Sequence, residues 1–169
     1  PGGRCGVIVP EGVLFGSTGA HKELRRQLIE NNRVEAVLSL PGGVFQPYSG
    51  VKTSVLFFRR GGKTEQVMFL HADNDGYKLD ANHDTPIEAD DLPVLAAAYR
   101  DREAKAQASG ARDPKAGWTA PWWFADTAAL RANDFNLSAG RYRPLSQVQA
   151  VHQDPRELLD ELAAIEAEI

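Results

Sequence analysis

Short apolar runs separated by turn residues dominate the first 71 positions. Cys5 to Val9 (CGVIV) is an apolar, β-branched run between Gly3 and Pro10, the pattern of a strand buried on both faces. Pro10-Glu11-Gly12 reads as a turn. Gly16-Ser17-Thr18-Gly19 follows Val13-Leu14-Phe15, and Ser17 or Thr18 is placed to cap a helix. Ala20, Leu24, Leu28 and Ile29 form one apolar stripe on that helix, with Lys22, Arg25, Arg26 and Glu30 on its surface. Asn31-Asn32 predicts a left-handed stop. Val34–Leu40 (VEAVLSL) and Thr53–Phe58 (TSVLFF) are the second and third strands. Between them Pro41-Gly42-Gly43 opens a loop that carries Phe45 and Tyr48. Gln66–His71 (QVMFLH) predicts a fourth strand, joined to the third by a hairpin and antiparallel to it.

After Asp73 the pattern changes. Residues 72–91 are polar, with Asp, Asn and Gly clusters. Leu92, Leu95, Ala96 and Tyr99 predict a helix over 91–107. Residues 109–121 are loop, and Trp122-Trp123-Phe124 a short strand or anchored turn. Asp126 caps a short helix over 127–132. Asp154-Pro155-Arg156-Glu157 starts a last helix. Its Leu158, Leu162, Ile165 and Ile169 make a heptad-like seam.

Composition narrows the class. The 169 residues are 43% hydrophobic and 25% charged, the mix of a globular protein. No run of about 18 apolar residues is present, and no charged–apolar–small leader opens the chain. Cys5 is the single cysteine, so an internal disulfide and a cysteine-based zinc site are excluded. His21, His71, His83 and His152 have no metal-ligand spacing, and no metal site is expected. The charge is uneven: residues 1–60 hold eight Lys/Arg against four Asp/Glu, and residues 61–169 hold eleven against nineteen. A basic first third suits a polyanion or is simply surface composition. The chain opens at Pro1 without Met and stops in a helical pattern at Ile169, so both ends look cut.

Candidate chemistry is sparse. Gly12, Gly16 and Gly19 sit between a strand and a helix, but the spacing is neither the dinucleotide fingerprint nor the phosphate loop. Phe45 lies beyond the second strand, where open α/β sheets bind ligands. There it either stacks on a planar base, an interaction of ~1–3 kcal/mol, or plugs the core under its loop. Arg59-Arg60 either meets phosphates or is a solvated hairpin end. Trp118, Trp122 and Trp123 form an aromatic platform, or at least one of them anchors the later segment to the α/β layer.

The run GGRCGVIVPEGVLFG, a helix, and then VEAVLSLPGGVFQPYSGVKTSVLFF resembles the later half of the catalytic domain of DNA adenine N-6 methyltransferases. The likeness is strongest to the modification (M) subunit of type I restriction-modification systems. TEQVMFLHAD, the Trp122-Trp123 region and NDFNLSAGRYRP agree with it. The resemblance implies an α/β fold: the C-terminal part of a Rossmann-like class I methyltransferase sheet, with three late strands, one antiparallel, plus an added hairpin strand, followed by a mainly helical extension. Residues 1–75 would be the late half of the catalytic domain, 76–150 a helix-and-loop extension, and 151–169 a subunit-contact helix. Thr53–Phe58 would be the antiparallel strand, between Cys5–Val9 and Ala36–Leu40.

The family uses S-adenosylmethionine and flips its target adenine out of double-stranded DNA. Its Asn-Pro-Pro-aromatic motif and its main cofactor-binding motif do not occur in these 169 residues. They are expected upstream, and the fragment alone is expected to be inactive, with no catalytic residue of its own. By resemblance, Phe45 lies against the flipped adenine and Pro10, Glu11, Gly12, Lys52 and Thr53 border the pocket. Leu158, Leu162, Ile165 and Ile169 would face the specificity subunit. Specificity and restriction subunits, a cytoplasmic location and no membrane contact follow from the same likeness. The exposed edge of the first strand is expected to promote self-association. Two rival readings stay open: a non-enzymatic protein-interaction module, and a nucleotide- or phosphate-binding α/β domain using Gly16–Gly19.

Overall fold

The computed structural model describes residues 2–110 and 120–144. Strand β1 (Arg4–Pro10) runs into a single-turn helix α1 (Glu11–Phe15), which buries Leu14. Helix α2 (Gly19–Asn31) follows, capped by Thr18, whose hydroxyl oxygen accepts from the His21 N–H at 3.3 Å. A side chain at Gly16 would collide with the His21 ring and come within 2.9 Å of the Gly12 carbonyl, so only glycine fits this connection.

Strands β2 (Asn32–Ser39), β3 (Thr53–Arg60) and β4 (Gln66–His71) supply the centre of a five-stranded sheet. Strand β7 (Trp122–Asp126) closes it, and the order is β1-β3-β2-β4-β7. β3 lies between β1 and β2, antiparallel to both, with Leu56 opposite Val7 on one side and Val37 on the other. This is the slot expected for it.

The expected β3–β4 hairpin does not form. β4 pairs in parallel with β2 (Val37 opposite Phe69), so β2 separates it from β3. The connection after Arg60 crosses the amino end of β2, where the Thr64 hydroxyl accepts from Val34 N–H at 2.9 Å and donates to the Asn32 carbonyl at 2.7 Å. The reason is burial. Val67, Met68, Phe69 and Leu70 are all apolar, and only an inner position covers both faces of such a strand.

Other expectations change for similar reasons. β1 is an edge strand and is largely exposed rather than buried on both faces; Ile8 is 52% exposed and Cys5 half-buried. α2 turns a different face inward: Arg25 and Ile29 are buried, Leu28 is half-buried, and Ala20 and Leu24 face solvent. Asn32 is extended, not left-handed, because α2 passes directly into β2. The helix expected over 91–107 is two, α3 (Leu92–Arg100) and α4 (Arg102–Gly110), and Ala96 is exposed. The polar stretch before α3 folds into a two-stranded sheet of β5 (Asp75–Tyr77) and β6 (Pro86–Asp90). Carboxylates hold it: Asp91 accepts from the backbone N–H groups of Asp73 and Asn74, both at 2.8 Å.

The sheet is covered on both faces. Leu14, Ile29, Val37, Leu56, Phe69 and Trp123 lie in one core layer, under α1, α2 and the 133–142 segment. Ala36, Met68, Leu70, Leu95 and Ala98 lie in the other, under α3. Asp126 caps α5 (Thr127–Ala132), accepting from Ala129 N–H at 2.7 Å. Trp123 anchors the later segment as expected, donating from Nε1 to the Ala139 carbonyl at 3.0 Å. The result is a mixed α/β fold with a mostly antiparallel sheet. Among the described residues no helix is long and apolar enough to cross a membrane. Trp118, Asp154 and the Leu158, Leu162, Ile165 and Ile169 seam lie outside the described residues.

Candidate functional site

β1, β2 and β4 all run the same way, so their carboxyl ends share one edge of the sheet, at Pro10, Ser39 and His71. β3 starts at that edge with Thr53. Open α/β sheets place ligands there, because the chain leaves each strand in a loop free to vary. The residues picked out in the sequence meet at this edge. Pro10 sits opposite Thr53 in the β1–β3 ladder. Glu11 N–H donates to the Lys52 carbonyl at 3.0 Å, and the Lys52 ammonium lies 3.5 Å from the Glu11 carboxylate. Leu40 N–H donates to the Thr53 carbonyl at 3.1 Å, closing the base of the 41–52 loop. Gly12 begins the next turn, its carbonyl accepting from Gly16 N–H at 2.8 Å. Thr53 is 9% exposed and its hydroxyl has no hydrogen-bond partner, an uncommon state for a buried polar group.

Phe45 is half-buried in that loop. Its carbonyl accepts from Ser49 N–H at 2.9 Å and Gln46 N–H donates to Gly43 at 2.9 Å, so the loop is a closed turn rather than a loose strap. The Gln46–Pro47 peptide is cis. Tyr48 projects from the turn, 94% exposed.

Arg25, whose charge predicts a surface position on α2, supports this edge from behind. It is 2% exposed. Its guanidinium donates to the carbonyls of Val13 at 3.0 Å, Gly16 at 2.9 Å and Phe135 at 3.1 Å, with Asp134 at 3.5 Å. Burial pulls its pKa below the ordinary arginine value. Arg25 thereby ties the end of α1 to the 133–136 turn, where Asp134 and Phe135 both have φ of 53°. The available signal was spacing: Arg25 lies one turn from Ile29 and on the same face.

The opposite, amino end of the sheet holds a second buried charge. Glu35 accepts from Arg59 at 2.7 Å, from Arg102 at 3.0 Å and from the Tyr99 hydroxyl at 2.6 Å. Burial alone would raise its pKa, but the Tyr99 hydroxyl and the two arginines outweigh it and hold the carboxyl below its usual range. This cluster welds β2, β3, α3 and α4 together far from the Phe45 loop. Arg59 is therefore an internal partner rather than a free hairpin end. No group of His, Cys, Asp or Glu among the described residues could hold a metal ion.

The fold is that of a mixed α/β domain with an aromatic-bearing loop at the carboxyl edge of its sheet. The chain belongs to the N-6 DNA methylase family, whose model matches residues 1–150. Its relatives include methylase subunits of type I restriction enzymes. It is 31% identical over 168 residues to the EcoEI methylase subunit of Escherichia coli, covering 99% of this chain and 32% of that protein. It is 46% identical over 61 residues to the EcoKI methylase subunit of Escherichia coli K12, covering 36% of this chain and 11% of that one. A chain from work on complex assembly and conformational transition of the type I R-M system superimposes with a TM-score of 0.66 at 30% identity, over 99% of this chain and 33% of that one. The type I methyltransferase subunit from Streptococcus thermophilus shares the fold, with a TM-score of 0.61 at 24% identity over 83% of this chain and 26% of its own. The chain thus spans about a third of the length of the first relatives it matches.

Proposed function

We propose that the chain is the later part of the methylase subunit of a type I restriction-modification enzyme, and that it walls the pocket for an adenine flipped out of double-stranded DNA. The observation that carries this reading is the closed 41–52 turn. It carries Phe45 and is tied at its base by Leu40 N–H to the Thr53 carbonyl, next to the Pro10–Thr53 and Glu11–Lys52 contacts. The reaction transfers a methyl group from S-adenosylmethionine to the N6 amino group of adenine. When bound, the cofactor would supply a sulfonium methyl, which the neutral N6 amine would take as the thioether leaves and one proton is lost to solvent, so the protein has to orient the amine rather than supply a strong base. Phe45 holds the plane of the base by stacking and needs no titratable partner. Pro10-Glu11-Gly12 and Lys52-Thr53 border the base, with the Glu11–Lys52 pair fixing one loop against the other.

The cofactor and the catalytic Asn-Pro-Pro-aromatic motif belong, on this reading, to a preceding part of the full-length subunit, so these 169 residues alone do not methylate DNA. Partners would be double-stranded DNA and the specificity and restriction subunits, with Leu158, Leu162, Ile165 and Ile169 toward the specificity subunit. The protein would act in the cytoplasm. The free edge of β1, when not covered, would support self-association.

Single-turnover methyl transfer by the full-length enzyme tests the pocket. Phe45→Ala should slow it about 5- to 150-fold, the equivalent of ~1–3 kcal/mol of stacking, with cofactor affinity unchanged. An unchanged rate would remove Phe45 from the pocket.

A further inference from the structure

Of the large apolar side chains left exposed among the described residues, Tyr48 is the most exposed, at 94%. Its own fold gains almost nothing from it. Yet the turn beneath it is fixed, by Gln46 to Gly43, by Ser49 to Phe45, and by Val51 N–H to the Ser49 hydroxyl at 3.2 Å. Val51, 58% exposed, follows on the same loop. The turn therefore holds two aromatics in a set relation. Phe45 stands half-buried at its base, and Tyr48 stands free at its apex.

We infer that Tyr48 is a DNA-inserting residue. Its ring stacks in the gap left inside the duplex when the neighbouring adenine is extruded toward Phe45. The inference rests on the adenine-pocket reading above and adds a second, separate DNA contact to it. Extruding a base leaves two base-pair faces without a stacking partner. A flat ring with an apolar body and a polar tip fits that gap and keeps its hydroxyl toward water. A rigid turn limits the conformational entropy lost on insertion. Lys52, four residues further along the chain, keeps its side chain 44% exposed while its ammonium is paired at 3.5 Å with Glu11. The occupant is thus duplex DNA with an opened base pair.

The test uses the full-length methylase in its assembled complex, with duplexes carrying 2-aminopurine at the target adenine. Tyr48→Ala should weaken binding to target duplex about 5- to 150-fold and lower the 2-aminopurine signal. Tyr48→Phe should behave as wild type, because the ring and not the hydroxyl is used. A mismatch at the target pair, which lowers the cost of extrusion, should restore part of the Tyr48→Ala loss. Wild-type behaviour of Tyr48→Ala would overturn the inference, and so would an equal loss in Tyr48→Phe. So would an equal loss on DNA lacking the target adenine, which would mark a general surface contact. Phe45→Ala, run in parallel, separates the two ideas. If Phe45→Ala alone is silent, the pocket reading fails; if Tyr48→Ala alone is silent, only the insertion fails.

Discussion

Replacing Arg25 with methionine keeps the stem of the side chain and removes its fork of donors. Three carbonyl oxygens, of Gly16, Val13 and Phe135, lose partners at 2.9, 3.0 and 3.1 Å; the Asp134 contact at 3.5 Å is too long to count for much. Bonds from a charged donor contribute about 1.5–3 kcal/mol each. Against that, the variant no longer dehydrates a guanidinium, which costs several kcal/mol for a side chain only 2% exposed. The net expected loss is about 2–4 kcal/mol, a large share of the ~5–15 kcal/mol that holds a typical domain. With a urea slope of roughly 2 kcal/mol/M, the midpoint should fall by about 1–2 M. Arg25→Lys keeps the charge but reaches fewer carbonyls, and should fall between the variant and wild type. Limited proteolysis locates the damage: the 133–136 turn should be cut first, since Arg25 ties it to α1, while Leu137 N–H to the Leu14 carbonyl and Trp123 to Ala139 still hold the rest of the segment. A midpoint within about 0.3 M of wild type, or first cuts elsewhere, would refute this role.

Two further outcomes concern the amino end of the sheet. Glu35 has a depressed carboxyl pKa in the folded protein. Its contribution is therefore complete above the unfolded value of about 4.3 and is lost as pH falls through the folded one; Glu35→Gln should flatten the acid limb of a stability–pH curve, and an unchanged limb would contradict the network. The Tyr99 phenol is pushed up to about 12, first by burial and then by its bond to Glu35. Its contribution holds below the unfolded value of about 10 and is lost as pH rises toward 12. In an ultraviolet titration Tyr99→Phe should remove the latest-ionising phenol, whereas loss of an ordinary one would show that Tyr99 is not coupled to Glu35.

What was legible in the sequence was local and apolar. Val34–Leu40, Thr53–Phe58 and Gln66–His71 announce strands because β-branched and aromatic runs fit a pleated, buried surface. Caps at Thr18 and Asp126 were readable for the same local reason. Neighbours were harder. The Gly61-Gly62 turn looks like a hairpin, but Thr64 ties the connection to Val34 and Asn32, and the chain crosses to the far side of β2. The apolar run of β1 predicts burial on both faces, which β1 as the edge strand of these residues does not reach. The charge of Arg25 predicts a surface position although it shares a helical face with Ile29, and a buried guanidinium is allowed only where carbonyls converge, as those of Val13, Gly16 and Phe135 do. The β5–β6 sheet depends on single carboxylates capping backbone N–H groups, which leaves no periodic trace. At the site, the loop and its corner were legible as a cluster of residues. The division between a half-buried Phe45 and a free Tyr48 was not, since spacing alone does not say which ring the turn covers.

Photocrosslinking tests the adenine pocket most directly. A duplex with 5-iodouracil in place of the target base, bound to the full-length methylase and irradiated, couples to an aromatic ring stacked on the extruded base. Peptide mapping should find the crosslink at Phe45, and Phe45→Ala should abolish it. A crosslink at a residue outside the 41–53 segment, or none to this chain, would contradict the account.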